Sequence, residues 1–230
     1  MGRFFSRKNG LPATPAEVRG CAPYLSPYRY AVDQHGPRFE SLLWNSHETQ
    51  RLRFQAITSG INLAGHSILD AGCGRADLAV WMRDQGIHWR RYIGVDAIPE
   101  MLVHARSLAL PHAEFHDADF VANERAFLCA GEPADIIIFS GSLNTIPRSL
   151  AVGALERAWR DCRVALVFNF LSSGDSPQPE AAAPGTAQKF SPPAVLRWAL
   201  TRTRDVTLRH DYLDGRDATV FMLKSGANTR

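Results

Sequence analysis

A glycine-rich turn at residues 70–77 is the sharpest chemical signal in the sequence. Gly72 and Gly74 follow a short apolar run and precede a helical pattern. Glycines at this spacing let the backbone turn tightly and approach a ligand. The carboxylates of Asp70 and Asp77 would repel a pyrophosphate at a helix N-terminus, and they suit a ligand with an ammonium or sulfonium end. The candidate ligand-binding residues of this turn are Asp70, Ala71, Gly72, Cys73, Gly74 and Asp77.

Further carboxylates follow the next two apolar runs. Asp96 ends the second run, where a carboxylate can accept hydrogen bonds from both hydroxyls of an adenosine ribose, and Ala97 adjoins it. At the end of the third run we expect Asp117 to accept the exocyclic amine of adenine and Ala118 to supply a backbone amide. Asp119 is expected to face solvent or to cap the following segment.

A serine-glycine pair closes the fourth apolar run. Gly141 gives room for a ligand, and Ser140 and Asn144 can orient it. In open α/β sheets, ligands bind outside the carboxyl ends of the strands. All of these clusters fall at such ends, so we expect them to share one site.

The elements that position these residues alternate between strand and helix. Near-continuous apolar strands that alternate with helices are typical of a parallel sheet covered on both faces. A terminal pair of strands joined by an Asp-Gly turn indicates a hairpin, so the last strand must be antiparallel. The expected strands are 67–70, 92–96, 113–119, 135–139, 164–168, 206–212 and 218–223, and the expected helices are 76–84, 99–110, 149–162 and 192–203.

The segment before the sheet has a different character. We expect residues 1–23 to be a loose leader, 24–30 to be a proline-broken aromatic patch, and 39–60 to form two short amphipathic helices. Residues 172–190 are expected to form a long loop. Residues 1–60 carry eight basic and four acidic side chains, whereas the remainder is nearly balanced.

Composition limits the class of protein. The 230 residues are 45% apolar with a net charge of +3, as expected for a soluble domain, and no apolar run reaches the length of a membrane span. We therefore expect a cytoplasmic protein, a monomer or homodimer. The four cysteines form no CxxC pair, which argues against a zinc site, and we expect no metal.

Three motifs resemble those of class I S-adenosylmethionine-dependent methyltransferases: SILDAGCG at 67–74, YIGVDAIPEML at 92–102 and ADIIIFSGSLN at 134–144. The resemblance extends to about residue 224 and implies a Rossmann-like, doubly wound sheet of seven strands with only the last antiparallel. It implies S-adenosyl-L-methionine as cofactor, with Asp70, Gly72 and Gly74 at its methionine part, Asp96 at the ribose, and Asp117 with Ala118 at the adenine. Ala76 replaces the third glycine of the family's loop.

The segment WNSHETQRLRF at 44–54 also resembles the entry helix of small stand-alone bacterial members. We accordingly expect residues 1–60 to be a leader and helical lid, and 61–230 to be the methyltransferase domain. The expected acceptor is a small molecule, and the basic front weakly favours an anionic one. The alternatives are a nucleic-acid or protein methyltransferase, which lacks support from an Asp/Asn-Pro-Pro-aromatic motif, and an NAD-dependent oxidoreductase.

The sequence assigns no catalytic residue. The side chains that precede the sheet or lie near strand ends are candidates for acceptor contact, and three histidines are candidate bases. The acceptor-contact candidates are Tyr24, Tyr28, Tyr30, Trp44, Gln50, Arg53, Asn144 and Asn169, and the histidines are His35, His47 and His116.

Overall fold

The structure, a computed structural model, describes residues 21–174 and 187–226. Strands and helices alternate along most of this length, as the sequence predicts. The helices are α1 (Ser26–His35), α2 (His47–Gly60), α3 (Asp77–Asp84), α4 (Pro99–Ser107), α5 (Arg148–Asp161) and α6 (Pro192–Leu200). The strands are β1 (Ser67–Ala71), β2 (Arg91–Asp96), β3 (Ala113–Asp117), β4 (Ile136–Phe139), β5 (Ala165–Ser172), β6 (Lys189–Phe190), β7 (Val206–Arg209) and β8 (Asp217–Leu223). Single turns of 3-10 helix occur at Phe39–Leu42, Ala126–Leu128 and Leu213–Gly215.

One sheet runs through the molecule in the order β3-β2-β1-β4-β5-β8-β7. Strands β1 to β5 are parallel, and β8 is antiparallel to both β5 and β7. The doubly wound sheet with an antiparallel closing strand is therefore confirmed. The two-residue strand β6 pairs with the end of β5 and adds an eighth strand within the segment expected to be a loop.

Apolar side chains alternate between the two faces of the sheet. Ile136 and Ile138 join a buried cluster with α2, α3 and α4, whereas Ile137 joins a second cluster with α5 and α6. Helices thus cover both faces, which explains why the central strands are apolar at every position.

The segment before the sheet differs from its sequence-based description. Residues 26–35 form the regular helix α1, because Pro27 lies in its first turn, where a missing N–H costs nothing. Of the two helices expected over 39–60, the first is one 3-10 turn and the second is α2, which begins at a capping box made by Ser46 and Thr49. Of the leader expected over residues 1–23, residues 1–20 lie outside the described residues.

Helices α4 and α6 each end three residues before their predicted ends. Within residues 21–174 and 187–226, no helix has the length and apolar character needed to cross a membrane.

Candidate active site

The turn after β1 takes a shape that requires glycine. Gly72 and Gly74 have φ angles of +77° and +51°. A Cβ atom on Gly72 would lie 2.4 Å from the Cβ of Ser142, and one on Gly74 would lie 2.8 Å from Cδ2 of Leu42. The N–H of Gly72 donates to the Val95 carbonyl at 2.7 Å, which ties the turn to β2. The turn is therefore tight and closely enclosed by side chains.

Ala76, at the position of the missing third glycine, adopts the left-handed conformation with φ 64° and ψ 31°. This conformation costs a residue with a Cβ atom about 1 kcal/mol. The methyl group is fully buried in the cluster that contains α3, and this burial offsets part of the cost. The substitution leaves the shape of the turn in place.

Asp96 projects from the end of β2 toward this turn. One carboxylate oxygen accepts from the N–H of Gly74 at 2.8 Å, and the other accepts from the N–H of Ile98 at 2.9 Å. Burial raises the pKa of Asp96 to about 6, although these backbone donors oppose the shift. The adjacent Ala97 carbonyl accepts from Arg29 of α1 at 2.9 Å, so α1 is held against this loop.

At the end of β3, the structure brings Asp119 rather than Asp117 into the site. Asp117 is exposed, and the N–H of Ala118 donates to the Asp96 carbonyl at 3.0 Å, so this amide is not free for a ligand. Asp119 accepts from the Tyr24 phenol at 2.6 Å and, through its other oxygen, from the N–H of Val121 at 2.8 Å. Asp119 thus caps the following segment, as expected, while also facing the site.

Asp70 and Asp77 lie at the two ends of the turn, and each accepts a hydrogen bond from a neighbouring side chain. Asp70 is buried and accepts a hydrogen bond from the Tyr92 phenol. Burial raises the pKa of Asp70 to about 7. Asp77 accepts from the Gln50 side chain at 3.0 Å.

These elements form a cleft at the carboxyl ends of the strands. The predicted residues that line it are Gly72, Gly74, Asp96, Ala97, Ser140, Gly141, Tyr24, Tyr28 and Trp44. The predicted residues that do not line it are Asp70, Ala71, Cys73, Asp77, Asp117, Ala118, Tyr30, Gln50, Arg53, Asn144 and Asn169.

Several of the acceptor-contact candidates instead have structural partners. Arg53 forms a buried bidentate ion pair with Asp217 of β8, with N–O distances of 2.6 and 2.8 Å. The fully buried Asn169 side chain accepts from the N–H of Gly141 at 2.7 Å. The backbone carbonyl of Asn144 accepts from the N–H of Gln188 at 2.7 Å, whereas its side-chain Oδ1 is buried with no partner among the described residues. These residues shape the cleft from outside it.

The three candidate bases lie away from the cleft lining. The His47 ring stacks on Phe39 with centroids 3.6 Å apart. His116 is 3.4 Å from Glu114, and His35 ends α1. Among the described residues, no group of three or more His, Cys, Asp or Glu side chains could hold a metal ion.

The structure also adds lining residues that the sequence argument missed. Ser142, Thr145 and Ile146 follow β4, and Phe120 follows Asp119. The hydroxyls of Ser140 and Ser142 are buried without a hydrogen-bond partner in the part of the chain that the structure describes. The Ser-Gly-Ser pattern was a usable signal for Ser142, whereas no sequence pattern marks Thr145 and Ile146.

Comparisons with known proteins agree with this geometry. Residues 68–164 match the family model of a methyltransferase domain. No curated protein matches the chain. A complex of DhpI with SAM and HEP has a TM-score of 0.64 at 14% identity, covering 86% of this chain and 95% of that one. Magnesium protoporphyrin IX methyltransferase (ChlM) from Synechocystis PCC 6803 with bound SAM has a TM-score of 0.62 at 15% identity, covering 90% and 99%.

An O-methyltransferase family protein from Burkholderia thailandensis has a TM-score of 0.58 at 15% identity, covering 89% of this chain and 72% of that one. Residues 68–164 thus resemble a methyltransferase domain. The structural matches show the Rossmann-like fold of class I methyltransferases. The cofactor that fold and family imply is S-adenosyl-L-methionine.

The residues of the cleft fit this cofactor. A carboxylate lies at the end of β2, and the buried hydroxyls of Ser140 and Ser142 lack partners in the described ranges. A ligand with polar groups along its length would satisfy such atoms.

Proposed function

We propose that this chain transfers the methyl group of S-adenosyl-L-methionine to a small-molecule acceptor in the cytoplasm. The observation that carries the proposal is the position of Asp96, whose carboxylate borders the cleft beside the two glycines of the turn. We keep the division into a lid over 1–60 and a methyltransferase domain over 61–230 as part of this proposal.

Each part of the cleft has a role in holding the cofactor. Gly72 and Gly74 border the methionine part, because both line the cleft at the end of β1. Asp96 accepts the ribose hydroxyls. Asp119 takes the adenine end in place of Asp117, and the amide of Phe120 lies next to it in the chain. The Tyr24 phenol shares the Asp119 carboxylate with the adenine.

When bound, the cofactor supplies a methyl group already activated by its sulfonium, and the protein has to align the acceptor and exclude water. Trp44 serves the second purpose, since its ring covers Gly141. A Cβ atom on Gly141 would lie 2.6 Å from Cη2 of Trp44. Tyr24, through Asp119, closes the other end of the cleft. An amine or thiolate acceptor attacks unaided, so no base from this chain is assigned.

The geometry supports a small acceptor over a nucleic acid. Arg29 bonds Ala97 and lies 3.6 Å from Glu100, and Arg53 is paired with Asp217. Within the described residues, the cleft has no basic side chain in its lining, whereas nucleic-acid sites depend on Lys and Arg. Asp77, in the first turn of α3, also opposes a pyrophosphate at that helix N-terminus, and thus an NAD-dependent reaction.

Calorimetry with the product S-adenosylhomocysteine, and separately with NADH, tests the function. We expect the product to bind and NADH not to bind. Asp96→Asn should weaken product binding by about 1.5–3 kcal/mol, because it removes the charge from a carboxylate that accepts hydroxyls. Asp84→Asn, an exposed change on α3, is the matched control and should bind like the wild type. Absence of product binding to the wild-type protein would overturn the proposal.

A further inference from the structure

We infer that the acceptor of this methyltransferase is an uncharged, flat aromatic molecule with one polar substituent, and that an anionic acceptor is disfavoured. The inference rests on the proposed function and concerns the part of the cleft left once the cofactor residues are assigned. The first lid segment and the chain after β4 line this part, which we call the acceptor subsite: Leu25, Tyr28, Leu42, Trp44, Thr145 and Ile146.

The walls of the acceptor subsite are apolar or aromatic. Leu25, Leu42 and Ile146 provide aliphatic surface, and Tyr28 and Trp44 provide rings. Aromatic side chains bind flat apolar bodies well, because they offer a large rigid surface at a small cost in conformational entropy. This composition favours an aromatic acceptor over a strongly hydrated one.

The indole of Trp44 is held in place before any acceptor binds. The Arg53 guanidinium lies 4.6 Å from the ring centroid, and Phe54 makes an edge contact at 6.3 Å. Arg53 is itself fixed by the buried Asp217 carboxylate. A wall that is already ordered loses little entropy on binding, so it acts as a rigid template for a flat ligand.

The charges near the subsite oppose an anion. Two carboxylates, Asp96 and Asp119, line the same cleft, and no described basic side chain lines it. The nearby cations Arg29 and Arg53 are directed at a carbonyl and at a carboxylate. A negatively charged acceptor would lose hydration and meet charges of its own sign. Among the described residues this arrangement disfavours an anionic acceptor, while the basic side chains of residues 1–20 lie outside them.

Two hydroxyls give the acceptor subsite its polar character. The Tyr28 phenol and the buried Thr145 hydroxyl both line it, and burial raises the pKa of Tyr28. The phenol therefore stays protonated and can donate a hydrogen bond to an oxygen or nitrogen of the acceptor. A single polar group on an otherwise apolar body can meet either of these hydroxyls.

Matched pairs of small probes test this inference by ligand-observed NMR on protein saturated with S-adenosylhomocysteine. The pairs are phenol with benzoate, and indole with indole-3-carboxylate. We expect the neutral member of each pair to bind at least tenfold more tightly than the carboxylate. Tighter or equal binding of the carboxylates overturns the inference, as does failure of both neutral probes to bind while the homocysteine product binds. Failure of the product itself to bind overturns the proposed function instead.

Variants connect the signal to the subsite. Trp44→Ala should abolish binding of the neutral probes, and Trp44→Phe should retain most of it. Leu25→Lys should invert the preference toward the carboxylates, because it places a cation in the lining. Leu43→Lys is the control, since Leu43 is 37% exposed and lies outside the lining. Thermal unfolding of each variant establishes that it is folded. Unchanged preference in a folded Leu25→Lys protein would contradict the electrostatic argument.

Discussion

Asp217→Ala should destabilise the protein far more than a typical surface change. The Asp217 carboxylate receives both Nε and Nη2 of Arg53, and the two side chains are only 3% and 8% exposed. Removing one partner of a buried pair leaves the other charge without compensation, at a cost of about 3–5 kcal/mol. In a protein of this size, the change corresponds to a fall in melting temperature of roughly 6–20 °C.

Urea unfolding followed by circular dichroism measures this loss. The double variant Arg53→Met, Asp217→Leu should recover most of the stability, because apolar side chains of similar volume replace a buried ion pair at little net cost. Asp211→Ala, which removes an exposed partner of Arg209, is the control and should have no measurable effect. A loss of less than about 1 kcal/mol for Asp217→Ala would refute the reasoning, since it would mean that the Arg53 charge readily reaches water.

Further predictions concern Asp96, the glycine turns on either side of β1, and Asp119. Because the pKa of Asp96 is raised to about 6, product affinity measured by calorimetry should fall about tenfold between pH 7 and pH 5. The contribution of Asp96 to the unfolding free energy should fall as pH rises from about 4 to about 6, because in this range the folded state keeps the Asp96 proton and the unfolded state loses it. A wild-type protein whose product affinity and stability do not change with pH in these ranges would contradict both Asp96 predictions. Gly65→Ala, at φ +75° with open space, should cost about 1 kcal/mol in urea unfolding. Gly72→Ala, at φ +77°, should cost more and abolish product binding, because its Cβ meets Ser142; equal costs would count against the steric argument. Asp119→Asn should weaken product binding, whereas Asp117→Asn should not. Weaker binding in Asp117→Asn alone would instead assign the adenine contact to Asp117, as the sequence predicted.

The sheet was predictable because the residue pattern of a strand indicates whether one or both of its faces are covered. Ile136, Ile137 and Ile138 are apolar in succession, and a strand needs that pattern only when both faces are covered. The turn with Gly72 and Gly74 was equally clear, since only glycine fits its conformation. Both features depend on residues that are close together in the sequence, so the sequence alone predicts them.

Features that depend on contacts between residues far apart in the sequence could not be predicted in this way. Helix α1 has little apolar periodicity and is held by tertiary bonds, such as those from Arg29 to Ala97 and from Ser41 to the Ala31 carbonyl. The role of Arg53 depends on a partner 164 residues away. The choice between Asp117 and Asp119 turns on where β3 ends, and strand boundaries are the least certain part of any sequence-based prediction.

The pairing of Arg53 with Asp217 also bears on how the protein is made. At typical elongation rates, a ribosome takes roughly 10–30 s to add the 164 residues that separate the two side chains. Throughout that interval, α2 has neither its carboxylate partner nor β8, whose Phe221 lies against Gly60 and joins the cluster that buries Ile57. The nascent chain therefore exposes an apolar helix surface and an unpaired cation until β8, the last strand along the chain, is in place. At that late point in synthesis the need for chaperones should fall, and the protein should become able to bind its ligand.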